Sequence, residues 1–324
     1  MYLASTKNII SWLIKIAIGL ASFYFIYYRL QGEFTPEKTK AITSAFSNLN
    51  AYLLLLACII FIPINWGIES YKWQLITAPI EEVSLITASK SVYTGVCVGN
   101  LAPGRATEFL AKILFFKPNN RPTITLLHFA NGMFQLAVTI LFGLISVFIF
   151  YQEKISHENS AALWIGILCM LLLSVFAFFI LKFQSIQKWI VKKFERSYGQ
   201  HALPYKFNSK IISKLLFLSL LRYFVFTFQF VLVIKLFYSD SLTAEMIAGI
   251  CIYFLLTTVL PMISVVEAAI RSAIALMIFS GSTISEIAIV LTAVILWLLN
   301  IVVPSIIGYI IIVKEKFEIS LFKK

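Results

Sequence analysis

Acidic side chains are scarce in this chain. Asp240 is the sole aspartate, and Asp and Glu together number 15 against 27 Lys and Arg. An Asp-x-Asp metal site, as many glycosyl transferases use, therefore cannot be built. His128, His157 and His201 are the only histidines, and none stands in a Ser-Gly-His or similar nucleophile–base context. Cys58, Cys97, Cys169 and Cys251 all fall in apolar stretches without CxxC or metal-like spacing, which argues against disulfides and zinc and leaves them as core or lipid-facing fillers. No Gly-x4-Gly-Lys-Ser/Thr phosphate loop occurs, so ATP-driven pumping by this chain alone is not expected, and no cofactor or metal is implied.

What is abundant is apolar surface. The 324 residues are 60% hydrophobic and 13% charged, with a mean hydropathy of +0.89. Those values lie far outside the soluble globular range and define a polytopic membrane protein. The net charge of +12 resides mainly in short loops between apolar spans, where positive-inside topology accounts for it without nucleic acid. Full spans are expected at 9–30, 51–73, 123–151, 161–181, 212–237 and about 286–313. Lys15 would snorkel to the interface, and the first span is too long and too poor in cleavage signals for a removed leader. Thr35-Pro36-Glu37 reads as the start of a short surface-lying helix. Thr283-Ile284-Ser285-Glu286 resembles a capping box opening the last span. Asn65, Glu69 and Lys72 share one helix face and read as an interfacial cap, with the lining of a vestibule mouth as the functional alternative. Asn131, Gln135 and Thr139 recur every fourth residue and face protein or water rather than lipid; with Arg222, set deep in the fifth span, Asn131 and Gln135 are candidates to line a cavity.

Two apolar segments are broken by proline. In 89–117 the break falls at Ala102-Pro103-Gly104-Arg105, and in 246–279 at Pro261. Residues 89–102 reach only roughly 21 Å at about 1.5 Å per residue, against a hydrocarbon layer of about 30 Å. Each segment therefore reads as a re-entrant hairpin of two half-helices. Both carry a carboxylate and then a cation four residues later: Glu108 with Lys112, and Glu267 with Arg271. With the N-terminus in the cytoplasm, hairpins place the loop holding Lys182, Lys188, Lys192, Lys193, Arg196, Lys206 and Lys210 inside; a crossing first segment would place it outside. The expected fold is an all-α polytopic membrane protein with about six full transmembrane helices and two hairpins, arranged as inverted repeats over 1–151 and 152–324. Both termini are expected in the cytoplasm of a cell whose plasma (inner) membrane the chain crosses. Paired, interrupted segments of this kind point to a transporter site near the bilayer midplane.

A half-helix starting at Gly104, with Arg105 beside it, would turn positive dipole toward an anionic group. Asn100, Pro103, Gly104, Arg105, Glu108, Lys112, Pro261, Glu267 and Arg271 are the expected substrate-binding residues. At Asn100-Leu101-Ala102-Pro103-Gly104-Arg105-Ala106-Thr107-Glu108, and again from Pro261 through Glu267 to Arg271, the chain resembles the transmembrane region of lysylphosphatidylglycerol synthases and their stand-alone, flippase-like relatives. The second segment departs from that pattern in having no glycine at its turn. The resemblance implies a translocator of phospholipids, aminoacylated ones in the synthase members; no soluble aminoacyl-transferase domain follows here, so lipid lysylation is not expected. The function expected is therefore movement of a lipid with an anionic or phosphate-bearing headgroup between leaflets. Partners would be membrane lipids, a second copy of the chain or a separate lipid-modifying enzyme, not nucleic acid. The competing readings are a membrane-embedded transferase or phosphatase and a non-transporting partner subunit.

Overall fold

A computed structural model describes residues 20–31, 49–100, 107–154, 209–260 and 266–315, with 35–36, 40, 43–44, 46 and 105 as isolated positions. These residues are all-helical in architecture, and no strand occurs among them. The helices are α1 (Leu49–Thr77), α2 (Leu85–Gly99), α3 (Glu108–Lys112), α4 (Arg121–Lys154), α5 (Ser209–Ile234), α6 (Ala244–Val259), α7 (Glu267–Phe279), α8 (Glu286–Trp297) and α9 (Val303–Lys314). A single wide π-type turn, Leu298–Val302, joins α8 to α9. Pro304 supplies a reason, because it has no N–H to give the carbonyl four residues back and the helix must widen locally.

Four stretches are long and apolar enough to cross a membrane: Leu49–Thr77, Pro118–Val147, Ser209–Ile234 and Glu286–Lys314. The shortest has 26 residues, about 39 Å of helix against a hydrocarbon layer of about 30 Å. Large apolar side chains such as Leu53, Leu56, Ile60 and Phe217 stand exposed along them, as a lipid-facing surface requires. Of the other expected spans, 9–30 is described only from residue 20, where it is helical, and 161–181 lies outside the described residues. The same holds for the basic stretch up to residue 208 and for most of the helix expected from Thr35.

Each proline-broken segment is two antiparallel arms. Ser84 caps α2 by accepting the Thr87 N–H at 3.1 Å, and the chain returns as α3 along the same face. The return is tight because the facing positions are glycines: a Cβ on Gly99 would lie 3.0 Å from Glu108 Cβ, and one on Gly95 2.7 Å from Lys112 Cγ. Thr107 and Ser91 hydroxyls donate to the Val98 and Lys112 carbonyls, fastening the arms. Thr243 caps α6, and α7 returns with Ile278 and Phe279 against Gly249. The turns between the arms, 101–104 with 106 and 261–265, lie outside the described residues, and Pro103, Gly104 and Pro261 with them.

The two armed units open at opposite ends of the bundle. One apolar core packs α2 against Trp66, Trp73 and Ile76 of α1, the first half of α4 and Leu215 of α5. The other packs α6 and α7 against Ala51 and Cys58 of α1, the last part of α5 and α8. Packing between the units is reciprocal. Helix α9 lies along α2, and α4 lies along α6. In both contacts a glycine admits the neighbour: a Cβ on Gly308 would lie 2.1 Å from the Tyr93 carbonyl oxygen, and one on Gly143 would lie 2.6 Å from Leu255 Cβ.

The expected capping box before the last span is not formed. Ser285 makes no capping bond, Thr283 bonds the Tyr238 hydroxyl at 2.8 Å, and Glu286 pairs with Arg29 instead. A capping box needs the carboxylate to turn back on the helix start, and a nearby cation from the first helical segment draws it away.

Gly308→Ala is expected to destabilise the protein by about 1–3 kcal/mol, because backbone stands where the methyl must go. Gly67→Ala, at a position with open space around it, should leave thermal unfolding in detergent unchanged or slightly raised. Equal melting of the two variants would contradict the close contact of α9 with α2.

Candidate functional site

Glu69 is the centre of the buried polar network. Its Oε1 accepts from Asn131 Nδ2 at 2.7 Å, and its Oε2 accepts from Arg222 Nη1 at 2.8 Å and Lys72 Nζ at 3.5 Å. Arg222 also donates through Nε to Asn65 Oδ1 at 2.8 Å and lies over the Trp66 and Phe226 rings, 5.3 and 5.1 Å from their centroids. Three helices, α1, α4 and α5, thus meet on one carboxylate. The expected interfacial cap at Asn65, Glu69 and Lys72 is corrected by this geometry: all three are buried, with Asn65 and Lys72 fully so. Their helix runs on to Thr77, beyond the expected end at residue 73, so the face taken for a water-side cap is enclosed by α4 and α5.

The two local ion pairs form as their spacing predicts. Lys112 Nζ lies 2.7 Å from Glu108 Oε1 and 5.1 Å from the centre of the Trp73 ring, where the face of the indole adds a cation–π contact. Arg271 donates through Nε and Nη2 to Glu267 Oε1 at 3.0 and 2.8 Å. The Tyr253 hydroxyl lies beside the same guanidinium.

Between the two armed units is a cavity of about 220 Å³. Arg105 from the first turn, Arg222 from α5 and Arg271 from α7 line it, together with Gln135, Thr139, Thr257, Thr258 and Asn300 and the rings of Trp66, Tyr223, Phe226 and Trp297. No carboxylate among the described residues lines it. Asn300 sits in the π-type turn, at the middle of the run Glu286–Lys314. An adjoining crevice of about 320 Å³ shares Trp297 and Ile301 with the cavity and is almost wholly apolar, with Asn100, Glu267 and Ser305 at its polar end. Ile306 and Tyr309 line it and are more than half exposed on the outer surface of α9.

Arg105 is the one non-glycine residue with positive φ, 55°, among the described residues. That left-handed conformation costs an L side chain about 1–2 kcal/mol where glycine takes it freely. A strained arginine on the cavity wall is a functional marker. Unlike Arg222 and Arg271, it has no ion pair among the described residues. Counted together, Lys72, Lys112, Arg105, Arg222 and Arg271 face only Glu69, Glu108 and Glu267, which leaves two positive charges uncompensated among the described residues.

Of the expected substrate-binding residues, Arg105 and Arg271 line the cavity, and Asn100 and Glu267 line the crevice. Asn100 donates to Ser305 Oγ at 2.5 Å. Glu108 and Lys112 are set back from both spaces, holding α3 against α1 and α2. Gln135 and Arg222 line the cavity as expected, but Asn131 stands behind it on Glu69. Gly104, where the half-helix is expected to begin, lies outside the described residues; α3 itself has five residues, too few for a sustained dipole, and the arginine side chains supply positive potential on the cavity wall. Thr257, Thr258, Tyr253, Asn300 and Trp297 were not expected. The two threonines and the asparagine carried a signal, as polar residues inside otherwise apolar spans.

No protein-family model matches the chain, and no curated protein matches it significantly. The functional reading therefore rests on the geometry of this cavity.

Glu69→Ala should destabilise the protein by about 3–5 kcal/mol, since it leaves Arg222 and Lys72 buried without their shared anion. Asn131→Ala removes one hydrogen bond to that anion and should cost about 1–3 kcal/mol. Thermal unfolding in detergent ranks the two; a Glu69→Ala protein that melts with the wild type would show that the network is not what joins α1, α4 and α5.

Proposed function

We propose that this chain is a lipid translocator, moving a lipid with an anionic, phosphate-bearing headgroup between leaflets through the arginine-lined cavity. The observation that carries the reading is the convergence of three arginines, without a carboxylate among the described residues on the wall, between two broken apolar segments that open at opposite ends of the bundle. An arginine presents a planar fork of donors that matches phosphate oxygens, and it stays charged in a low-dielectric setting. The adjoining crevice supports the same reading. It leads from the cavity to the lipid-facing side of α9, so acyl tails can remain in the bilayer while the headgroup enters.

In this reading the two armed units are re-entrant hairpins of inverted repeats, 1–151 and 152–324, inserted from opposite faces of the plasma membrane with both termini in the cytoplasm. The reciprocal packing of α9 on α2 and α4 on α6 is the arrangement an inverted pair would give. Rocking of the α2–α9 pair against the α4–α6 pair, each pair taking one helix from each half, would expose the cavity to each leaflet in turn. Glu69, Glu108 and Glu267 hold cations in place rather than bind substrate.

Leaflet exchange of fluorescent phospholipids in reconstituted liposomes tests the proposal. Wild type should exchange an anionic lipid faster than empty vesicles, and Arg105→Gln and Arg271→Ala should each slow exchange about tenfold or more. The loss of one charge-assisted hydrogen bond, about 1.5–3 kcal/mol, gives that factor. Equal exchange in all three proteins and in empty vesicles would overturn the reading.

A further inference from the structure

The chemistry of the cavity wall narrows the headgroup further, to a class that the lipid reading alone does not specify. Arg105, Arg222 and Arg271 reach the cavity from three separate elements, and the cluster around them holds two more positive charges than negative among the described residues. We propose that the cavity selects a terminal phosphate monoester, in preference to a phosphodiester or an amine-bearing headgroup. The inference rests on the translocator reading for the source of that phosphate.

Charge is the first argument. A phosphate monoester carries about −1.5 to −2 at neutral pH and so balances the excess, whereas a phosphodiester carries one negative charge and leaves about half of it. Geometry gives the second. A monoester presents three terminal oxygens, one for each arginine; a diester has only two oxygens outside its ester links. The third concerns what the wall lacks. An ammonium group needs an anionic acceptor, yet no carboxylate among the described residues lines the cavity, Glu267 and Glu69 already accept from Arg271 and Arg222, and the lining groups other than the arginines are neutral. An amine-bearing headgroup, an aminoacylated one included, would add positive charge to a site with too much of it. Size agrees: at about 220 Å³ the cavity falls below the range of about 300–1,000 Å³ typical of pockets for drug-sized ligands, so it suits a phosphate and its ester link rather than a sugar chain.

Trp66 and Trp297 line the cavity, so intrinsic fluorescence reports its occupation. The experiment titrates the full-length protein in detergent with short-chain phosphatidic acid, phosphatidylglycerol, phosphatidylethanolamine and inorganic phosphate. Phosphatidic acid should bind about tenfold or more tighter than phosphatidylglycerol, with phosphatidylethanolamine weakest. The preference should fade from about pH 8 to about pH 5, as the monoester takes up its second proton near pH 6. Arg105→Gln, which breaks no ion pair among the described residues and should fold, should weaken phosphatidic acid binding about tenfold, and Arg105→Lys should restore part of it. The double variant Glu267→Gln with Arg271→Gln removes a whole ion pair, so its loss of affinity can be read without an orphaned buried charge. If the monoester and diester bind alike, and both weaken in Arg105→Gln, the monoester proposal fails while the translocator reading stands. If no lipid responds to Arg105→Gln, both fail. Inorganic phosphate binding as tightly as phosphatidic acid would support the phosphate chemistry and overturn the lipid as its source.

Discussion

One carboxylate, that of Glu69, sets the conditions for the rest of the bundle. Placed among apolar helices, it would be prohibitively costly alone; with Arg222, Lys72 and Asn131 around it, the cost is offset by contacts that tie three helices together. The arrangement also fixes Arg222. Because one edge of its guanidinium is held by Glu69 and Asn65, and its faces lie against Trp66 and Phe226, the side chain is pre-positioned on the cavity wall before any ligand arrives. The same division recurs at Arg271, which Glu267 holds from the adjoining turn of its own helix. Glu69 and Glu267 thus anchor arginines on the cavity wall, and cations outnumber these anchors among the described residues.

Much of the fold is legible in the sequence because its signals are local. Helix length follows from unbroken apolar runs, and the interruptions between Gly99 and Glu108 and between Val259 and Glu267 agree with the prolines in those stretches of sequence. The pairs Glu108–Lys112 and Glu267–Arg271 follow from four-residue spacing, which brings side chains together on any helix. The burial of Glu69 is not legible for the opposite reason. Its partner Arg222 lies 153 positions away, and nothing in the spacing of either helix announces the meeting. A charge count would have hinted at it, since Arg222 sits deep in an apolar span with no acid on its own helix to hold it. The length of the returning arm is not legible, because the sequence marks where a helix can begin and not how soon it must stop. Helix α3 gives way after five residues to a tighter turn, Ile113–Phe115.

The cavity is shaped as much by backbone irregularity as by side chains. Arg105 reaches it from a left-handed residue, and Asn300 from a widened turn ahead of Pro304. Regular helices would leave an apolar seam between the units, whereas each local departure delivers a polar group into it. Such departures are tolerated in a membrane setting only where protein or water covers them. Here α1, α4 and α5 provide that cover.

The glycine contacts constrain how this protein can deform. At Gly308 the backbone of α9 touches the carbonyl of Tyr93 with no intervening side chain, and at Gly143 the backbone of α4 seats the Leu255 side chain directly. Contacts this close leave little slack: α9 and α2 shift as one piece, and so do α4 and α6. Any change of shape is therefore confined to the seam between those two blocks, along the very line where the arginines converge.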